Sequence, residues 1–117
     1  LFSWCAVARF GATLCPHPWR VPTVRDFIAL DRALGGTGEN RADANVRNRL
    51  LNDWAGAYGG YCTSGGSLDD QGSWAYYWSS SEQSAVNGFY LPFGTTGNVY
   101  PQSSGNKSYG FTLRCVR

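Results

Sequence analysis

Apolar residues recur at helical spacing in three stretches of the first half of the chain. Residues 1–10 place them near one helical face and Gly11 ends the pattern, which predicts a short amphipathic helix. The second stretch begins at Thr23, a candidate N-cap with Asp26 three residues further on, and its apolar stripe runs to Gly35. These signals predict a second helix with defined ends.

The third stretch carries an apolar side chain at every fourth residue, at Val46, Leu50 and Trp54. A polar, glycine-bearing segment, residues 35–45, separates it from the second helix. The spacing predicts a further short helix that ends before Gly56.

The connections between these elements are rich in proline and glycine. Three prolines in residues 14–23 remove backbone donors, so only residues 19–21 can pair as a short strand. Residues 55–73 show no sustained period and contain many glycines. We expect a long ordered loop there, pinned by Cys62, because long segments without regular structure are uncommon in a compact domain unless they are functional or clamped.

From residue 73 onwards the pattern changes to the alternation of strands. In residues 87–94 the predicted inward positions are Phe89, Leu91 and Phe93. The predicted outward positions are Tyr90, Pro92 and Gly94. Residues 98–100 return as the second arm of a hairpin, with Val99 inward and Tyr100 outward, and residues 101–110 are predicted to be loop.

The closing residues 110–117 alternate again and predict a last strand. Helices in the first half and antiparallel strands in the second predict an α+β fold. We expect two or three short helices packed on a small twisted antiparallel sheet with long ordered loops.

Composition narrows the function classes. The chain has 117 residues, which fits a single domain over residues 1–117. No apolar run approaches the roughly 18 residues that cross a bilayer, so we expect no membrane insertion. The net charge is +2 and the basic residues are scattered, so we expect no nucleic-acid partner. The sequence has no Met, and we expect it to be the C-terminal part of a longer protein.

The four cysteines permit two disulfides in any of three connectivities. Metal and catalytic signals are weak. The single histidine, His17, lies between two prolines with no second group to orient it as a base, and no closely spaced metal-ligand motif is present. The adjacent Asp69 and Asp70 fit turn positions better than a calcium site. We therefore expect no catalytic residue, no metal and no cofactor, and do not expect an enzyme.

Residues 83–110 contain no Asp or Glu and one Lys, among Ser, Gly, Asn, Thr and Tyr. Tyr supplies amphipathic contact area with few rotors, and small polar residues supply adaptable hydrogen bonds, as in antibody paratopes. Ordinary loops and edge strands have a similar composition. Composition alone fits both interpretations, a ligand-binding surface and ordinary loops and edge strands.

Three motifs carry a resemblance over nearly the whole chain. The string CPHPWRVPTVRDFIAL, together with YYWSSSE and GFTLRCVR, resembles the Fibrobacter succinogenes major paralogous domain. That resemblance implies a C-type-lectin-like fold in extracellular or surface proteins. It also implies a Cys15–Cys115 disulfide, which would leave Cys5 and Cys62 as the other pair. The loop and strand motifs of calcium-dependent sugar binding are not present.

A narrower resemblance is to the variable proteins of diversity-generating retroelements in Bacteroides and their phages, in which adenine-directed mutation rewrites Asn codons. Residues 83–110 look like such a variable segment, whose residues would bind a ligand. The compatible outward or loop positions are Ser84, Ala85, Val86, Asn87, Tyr90, Pro92, Gly94, Thr95, Tyr100, Ser103, Ser104, Gly105, Asn106, Ser108 and Tyr109. Gln83, Gln102 and Lys107 cannot arise from those codons and would be fixed positions.

The resemblance thus implies a domain that presents a hypervariable surface to a protein or glycan receptor. The expected setting is a phage tail tip or a bacterial cell surface. The first alternative is a non-diversified extracellular structural or adhesive module of the same family. The second is an enzyme of the sulfatase-activating type, which shares the broad fold but whose active-site cysteine arrangement finds no support here.

Overall fold

A computed structural model describes all 117 residues. It contains three helices, α1 (Trp4–Leu14), α2 (Val24–Ala33) and α3 (Ala44–Asn52). The seven strands are β1 (Arg41–Ala42), β2 (Tyr61–Cys62), β3 (Leu68–Asp69), β4 (Trp74–Glu82), β5 (Asn87–Gly94), β6 (Asn98–Val99) and β7 (Ser103–Asn106). The protein is therefore α+β, as the sequence predicts.

The central sheet is antiparallel and curled. Its order is β1-β6-β5-β4, and β7 also pairs with β5. Pairing of β4 with β5 sets Ala75 opposite Phe93 and Tyr77 opposite Leu91, with an irregular register between Trp78 and Glu82. Directly opposed residues share a face of the sheet, so this register decides which side chains meet.

One face of the sheet is covered by α2 and α3, and we call it the helix face. Its buried side chains come from the sheet and both helices: Phe27, Val46, Leu50, Ala75, Tyr77, Leu91, Phe93 and Val99. The inward prediction is confirmed for Leu91 and Phe93, which are 1% and 0% exposed, whereas Phe89 is only half-buried. This cluster is the main core.

The opposite face carries a second, smaller core. Val7 of α1, Trp78 of β4 and Phe111 of the closing segment are buried together there. The Trp78 ring lies 4.2 Å from the Phe111 ring, and its indole N–H donates to the Phe2 carbonyl at 2.8 Å. Both faces of the sheet are therefore packed, at least in part.

The helix predictions are largely confirmed. The Thr23 hydroxyl accepts from the Asp26 N–H, and the Asp26 carboxylate accepts from the Thr23 N–H at 2.7 Å, which is a capping box. The predicted end of α1 at Gly11 is wrong, because the helix is capped by Ser3 and runs to Leu14. A glycine here suits packing, since a Cβ on Gly11 would lie 3.3 Å from Val21.

Three predictions for irregular or strand segments need correction. Residues 103–106, predicted to be loop, form β7, and residues 61–69 contain the small β2–β3 hairpin. The closing residues 110–117 form isolated bridges rather than a continuous strand, for instance between Tyr77 and Thr112. The predicted short pairing near residue 20 is confirmed by the bridge from Arg20 to Val116.

The cysteines follow the implied pairing only in part. Cys15 and Cys115 form a disulfide with a Cα–Cα distance of 5.5 Å, which ties the end of α1 to the C-terminal segment. The implied Cys5–Cys62 bond is wrong: both are free thiols, Cys5 exposed and Cys62 half-buried. Cys62 does pin its loop, but through paired backbone hydrogen bonds to Gly110. No helix has the length and apolar character to span a membrane.

Candidate ligand-binding face

The part of the sheet not covered by α1 carries a continuous layer of aromatic rings. We call it the aromatic face, and it consists of Tyr61, Trp74, Tyr76, Tyr90, Tyr100 and Tyr109. All six side chains are half-buried. Three of them, Tyr90, Tyr100 and Tyr109, belong to the candidate variable segment.

Neighbouring rings contact one another across strands and loops. Trp74 lies 6.1 Å from Tyr100 and 6.2 Å from Tyr76, between ring centroids. Tyr76 lies 5.0 Å from Tyr61, which lies 5.5 Å from Tyr109. Such contacts immobilise the rings while leaving part of each accessible, so little conformational entropy remains to be lost when a ligand binds.

Tyr90 is held more firmly than the other tyrosines of the segment. Its ring lies 4.6 Å from Phe111 and 5.8 Å from Trp78, at the edge of the second core. This partial burial raises the pKa of the Tyr90 hydroxyl. Tyr90 therefore supports the fold as well as forming part of the surface.

Glycines allow two rings of the aromatic face to lie close to the backbone. A Cβ on Gly94 would come within 2.7 Å of the Trp74 indole, and one on Gly105 within 2.9 Å of the Tyr90 ring. Each glycine lies on the strand next to that of the ring which covers it, Gly94 directly opposite Trp74. The rings shield the glycine backbone and are in turn positioned by it.

Two carboxylates lie at the rim of the aromatic face. Asp69 is the cross-strand partner of Tyr61, and Asp70 accepts a hydrogen bond from the Tyr76 hydroxyl at 2.5 Å. Burial, followed by the bond to Asp70, strongly raises the pKa of Tyr76. Partial burial and the charges of Asp69 and Asp70 also raise the pKa of Tyr61. All three phenols, including Tyr90, are thus neutral donors at physiological pH.

A separate groove of about 510 Å³ lies at the other end of β5. It is lined by Ser3, Cys5, Ala85, Val86, Asn106, Lys107 and Ser108. Val86 is 63% exposed. The β4–β5 turn and the loop after β7 therefore meet beside the start of α1.

The residues expected to be fixed hold these loops in place. The Lys107 ammonium donates to Glu82 at 2.8 Å and to the Ala85 carbonyl at 3.1 Å, and lies 4.4 Å from the Trp4 ring. The Gln102 side chain donates to the Gly38 carbonyl at 2.8 Å. The Gln83 side chain makes no hydrogen bond, so nothing in the structure explains why this position would be fixed.

The structure brings the predicted site residues to several places. Five of them belong to the aromatic face or its edge, namely Tyr90, Tyr100, Ser103, Gly105 and Tyr109. Four of them line the groove, namely Ala85, Val86, Asn106 and Ser108. Ser84 and Asn87 form the turn beside that groove, where the Ser84 hydroxyl accepts from the Asn87 N–H. Ser104 pairs with Phe89 and shares the helix-face side of the sheet with it, and Thr95 lies in the turn at the far end of β5.

The expectation that every alternate side chain of β5 points freely to water is wrong. Pro92 and Gly94 are buried, because Tyr76 and Trp74 lie opposite them on β4 and cover them. These two positions cannot contact a ligand directly while the rings stay in place.

The sequence pattern did not predict four residues of the aromatic face and its rim as site residues, because they lie outside residues 83–110. These are Tyr61, Asp70, Trp74 and Tyr76. The alternation within WAYYW could have indicated Trp74 and Tyr76, since it places them on the face opposite Ala75 and Tyr77. No local signal joins Tyr61 to them, because it comes from the separate β2–β3 hairpin.

His17 lines a second cavity of about 370 Å³ between α1 and residues 17–21. The other polar side chains there are Cys15, in the disulfide, Arg20 and Ser80. No group of three or more His, Cys, Asp or Glu side chains could hold a metal ion. The arrangement around the aromatic face can donate and accept hydrogen bonds and stack on planar groups.

Comparison with known proteins gives one family match. The model of the Fibrobacter succinogenes major domain matches residues 1–117. No curated protein and no solved structure matches the chain.

Proposed function

The chain belongs to the Fibrobacter succinogenes major domain family, and within that family we propose that it is a ligand-binding domain which presents the aromatic face and the adjoining groove to a receptor. The proposed receptor is a protein or glycan on a host or neighbouring cell. The proposed setting is a phage tail tip or a bacterial cell surface. The domain carries out no reaction in this proposal.

The observation that carries the proposal is the layer of half-buried rings. Tyr90, Tyr100 and Tyr109 join Trp74 and Tyr76 in one surface, although they come from four separate parts of the chain. Tyrosine and tryptophan are enriched at binding hot spots, since they combine a large apolar area with a polar group. A surface that served only to close the core would have no need of phenol groups at its edge.

We propose a C-type-lectin-like fold for the domain. Three short helices around a curled antiparallel sheet support it, as does the disulfide that joins α1 to the last residues of the chain. Such a fold leaves the loops and edge strands of the second half free to vary, because the packed helices and central strands supply most of the core.

We also propose that the segment is diversified by a retroelement. Of the three residues that cannot arise from the mutated codons, Gln102 and Lys107 make side-chain hydrogen bonds that hold the loops, whereas the Gln83 side chain makes none. The proposed variable side chains make either no side-chain hydrogen bond or only bonds to other residues of the segment, such as that from Ser108 to Asn106 at 2.7 Å. Their replacement therefore leaves the ties between loops intact.

The genome provides the direct test of diversification. We expect a nearby copy of the coding sequence for residues 83–110 that differs only at adenines, together with a reverse transcriptase gene. A locus with neither would favour the non-diversified adhesive module of the same family.

Binding capacity is tested with two displayed libraries. The first randomises ten accessible positions: Ser84, Ala85, Val86, Asn87, Tyr100, Ser103, Ser104, Asn106, Ser108 and Tyr109. The matched control randomises Leu91, Phe93, Val99 and Phe111, which are buried. Most clones of the first library should fold and some should bind an arbitrary folded protein such as lysozyme, whereas most control clones should not fold. Equal failure of both libraries would contradict the proposal.

A further inference from the structure

The charge pairing of the protein leaves one pair of adjacent carboxylates uncompensated. Five of the eight acidic side chains form salt bridges, namely Asp26, Asp31, Asp43, Asp53 and Glu82. The three without a salt-bridge partner are Glu39, Asp69 and Asp70. Two of these three lie together at the rim of the aromatic face.

These two carboxylates are held in place rather than mobile. Asp70 accepts from the Tyr76 hydroxyl, and its carbonyl accepts the N–H groups of Ser73 at 3.0 Å and Trp74 at 3.1 Å. Asp69 accepts from the Asp70 N–H at 2.9 Å. Asp69 is exposed and Asp70 half-buried, so both negative charges face solvent on a fixed backbone.

Two tyrosine rings lie next to these charges, because Tyr61 pairs with Asp69 and the Tyr76 hydroxyl donates to Asp70, and the Tyr109 ring contacts that of Tyr61. The Tyr61 ring is inclined by 60° to that of Tyr76 and by 67° to that of Tyr109. Rings inclined to one another in this way present ring faces as well as ring edges, while one face of Tyr76 is stacked on Phe111 with 5.1 Å between the ring centroids. The face of each ring carries the negative part of its quadrupole and attracts cations.

The shape of this part of the surface also limits what can bind. The two cavities of the molecule lie elsewhere, beside α1, so the rings and carboxylates form an open surface. An open surface suits a side chain presented by a macromolecule better than a small molecule that must be enclosed. A guanidinium suits both features, because it stacks flat on an aromatic ring and donates paired hydrogen bonds to a carboxylate.

We propose that Tyr61, Tyr76 and Tyr109, with Asp69 and Asp70, bind an arginine side chain of a protein receptor. This assignment rests on the proposed function and specifies the receptor class. It favours a basic protein surface over a glycan, since the hydroxyls of a neutral sugar can donate to a carboxylate but supply no positive charge to compensate two of them, and an acidic sugar is repelled by them.

The test uses the whole chain and two capped peptides, Gly-Arg-Gly-Arg-Gly and the same sequence with citrulline in place of arginine. Citrulline has nearly the same shape without the charge. In ¹⁵N NMR titrations we expect the arginine peptide to shift the amides of residues 61, 69, 70 and 109, and to bind at least about fivefold more tightly than the citrulline peptide. Added salt should weaken the binding.

Variants separate a specific site from general attraction to acidic groups. Asp69→Asn and Asp70→Asn each retain an acceptor oxygen and should weaken the arginine peptide about twofold to fivefold. Glu39→Gln removes the third unpaired charge, on an exposed loop outside the tyrosine layer, and should have no effect. Equal loss in all three variants, or equal binding of both peptides, would overturn the assignment.

A glycan outcome is distinguished in the same titrations. Shifts of the same amides with methyl α-mannoside, in the absence of arginine binding, would overturn the arginine assignment and leave the aromatic face as a glycan site. If arginine binding fails while library clones still capture lysozyme, the proposed function stands and only the receptor class is wrong. If both fail, the proposed function fails as well.

Discussion

At the scale of single residues, the most demanding interaction of the fold is a buried charge. Asp31 on α2 is 1% exposed, and its carboxylate accepts from both terminal nitrogens of Arg41, at 2.8 and 3.0 Å, and from the Gly38 N–H at 2.7 Å. Arg41 also binds Asp43, the N-cap of α3. One guanidinium thus joins α2, β1 and the start of α3.

We predict that Arg41→Ala lowers the free energy of unfolding by about 3 to 5 kcal/mol, because it leaves the buried Asp31 carboxylate without its counter-charge. Urea unfolding measures the change. The control is Arg49→Ala, which breaks an exposed pair with Asp53 at 2.8 Å and should cost no more than about 0.5 kcal/mol. Similar losses in the two variants would mean that the buried Asp31–Arg41 pair contributes no more to stability than an exposed pair.

A second residue-scale prediction concerns acid stability. The bond to Arg20, with those to Thr23, lowers the pKa of Asp26 from 3.8 to about 2, against a raising effect of burial. A carboxylate whose pKa falls on folding contributes stability that is complete about one pH unit above its unfolded pKa and is lost as the pH falls towards its folded pKa of about 2. Asp26→Asn should therefore reduce stability at pH 7 and flatten its decline between pH 4 and pH 2.

Thermal unfolding at a series of pH values measures this dependence. Glu39→Gln serves as the control and should retain the slope of the natural protein. If the stability of Asp26→Asn falls with pH as steeply as that of the natural protein below pH 4, the Arg20–Asp26 pair does not cause the loss of stability in acid.

At the scale of elements, β5 shows what alternation can and cannot predict. The period of two correctly separates Leu91 and Phe93 from Tyr90, Pro92 and Gly94. It cannot show that the second face is covered as well, because the cover comes from β4 and from Phe111, at other places in the chain. Exposure is a property of the packing between elements.

β7 was missed for a different reason. Residues 103–106 read SSGN, with no apolar side chain to mark a face, and the strand is joined to β5 by backbone hydrogen bonds in a register from Tyr90–Ser103 to Asn87–Asn106. The helices were easier to predict, since caps and glycine breaks are local signals. The capping box of Thr23 and Asp26 is the clearest example.

Gly94 provides the element-scale prediction. Gly94→Ala should displace the Trp74 indole, which would lie 2.7 Å from the new Cβ, and should cost about 1 to 3 kcal/mol. Ser104→Ala, on the exposed edge strand, should change stability by less than about 0.5 kcal/mol. Both values come from urea unfolding, and a harmless Gly94→Ala would return this position to the set that can vary freely.

At the scale of the whole molecule, one disulfide closes most of the chain into a loop. The Cys15–Cys115 disulfide spans 100 residues of sequence. The segment it holds, residues 111–117, has only isolated bridges, to Phe2, to β4 and to Arg20. Phe111 at the start of that segment completes the second core beneath Tyr76 and Tyr90. The disulfide therefore helps to keep the aromatic face in place.

The last prediction follows from this closure. Removing the disulfide by Cys15→Ser with Cys115→Ser should cost about 4 to 5 kcal/mol, since a cross-link over so long a loop restricts the unfolded chain strongly. The matched control, Cys5→Ser with Cys62→Ser, removes two free thiols and should leave the melting temperature nearly unchanged.

Maleimide labelling of the unreduced native protein should modify Cys5 first, because it is exposed, and mass spectrometry of the unfolded, unreduced chain should find two labels. A chain that takes no label would restore the Cys5–Cys62 bond that the family resemblance implied. A control variant as unstable as the disulfide variant would mean that Cys15–Cys115 is not the bond that secures the aromatic face.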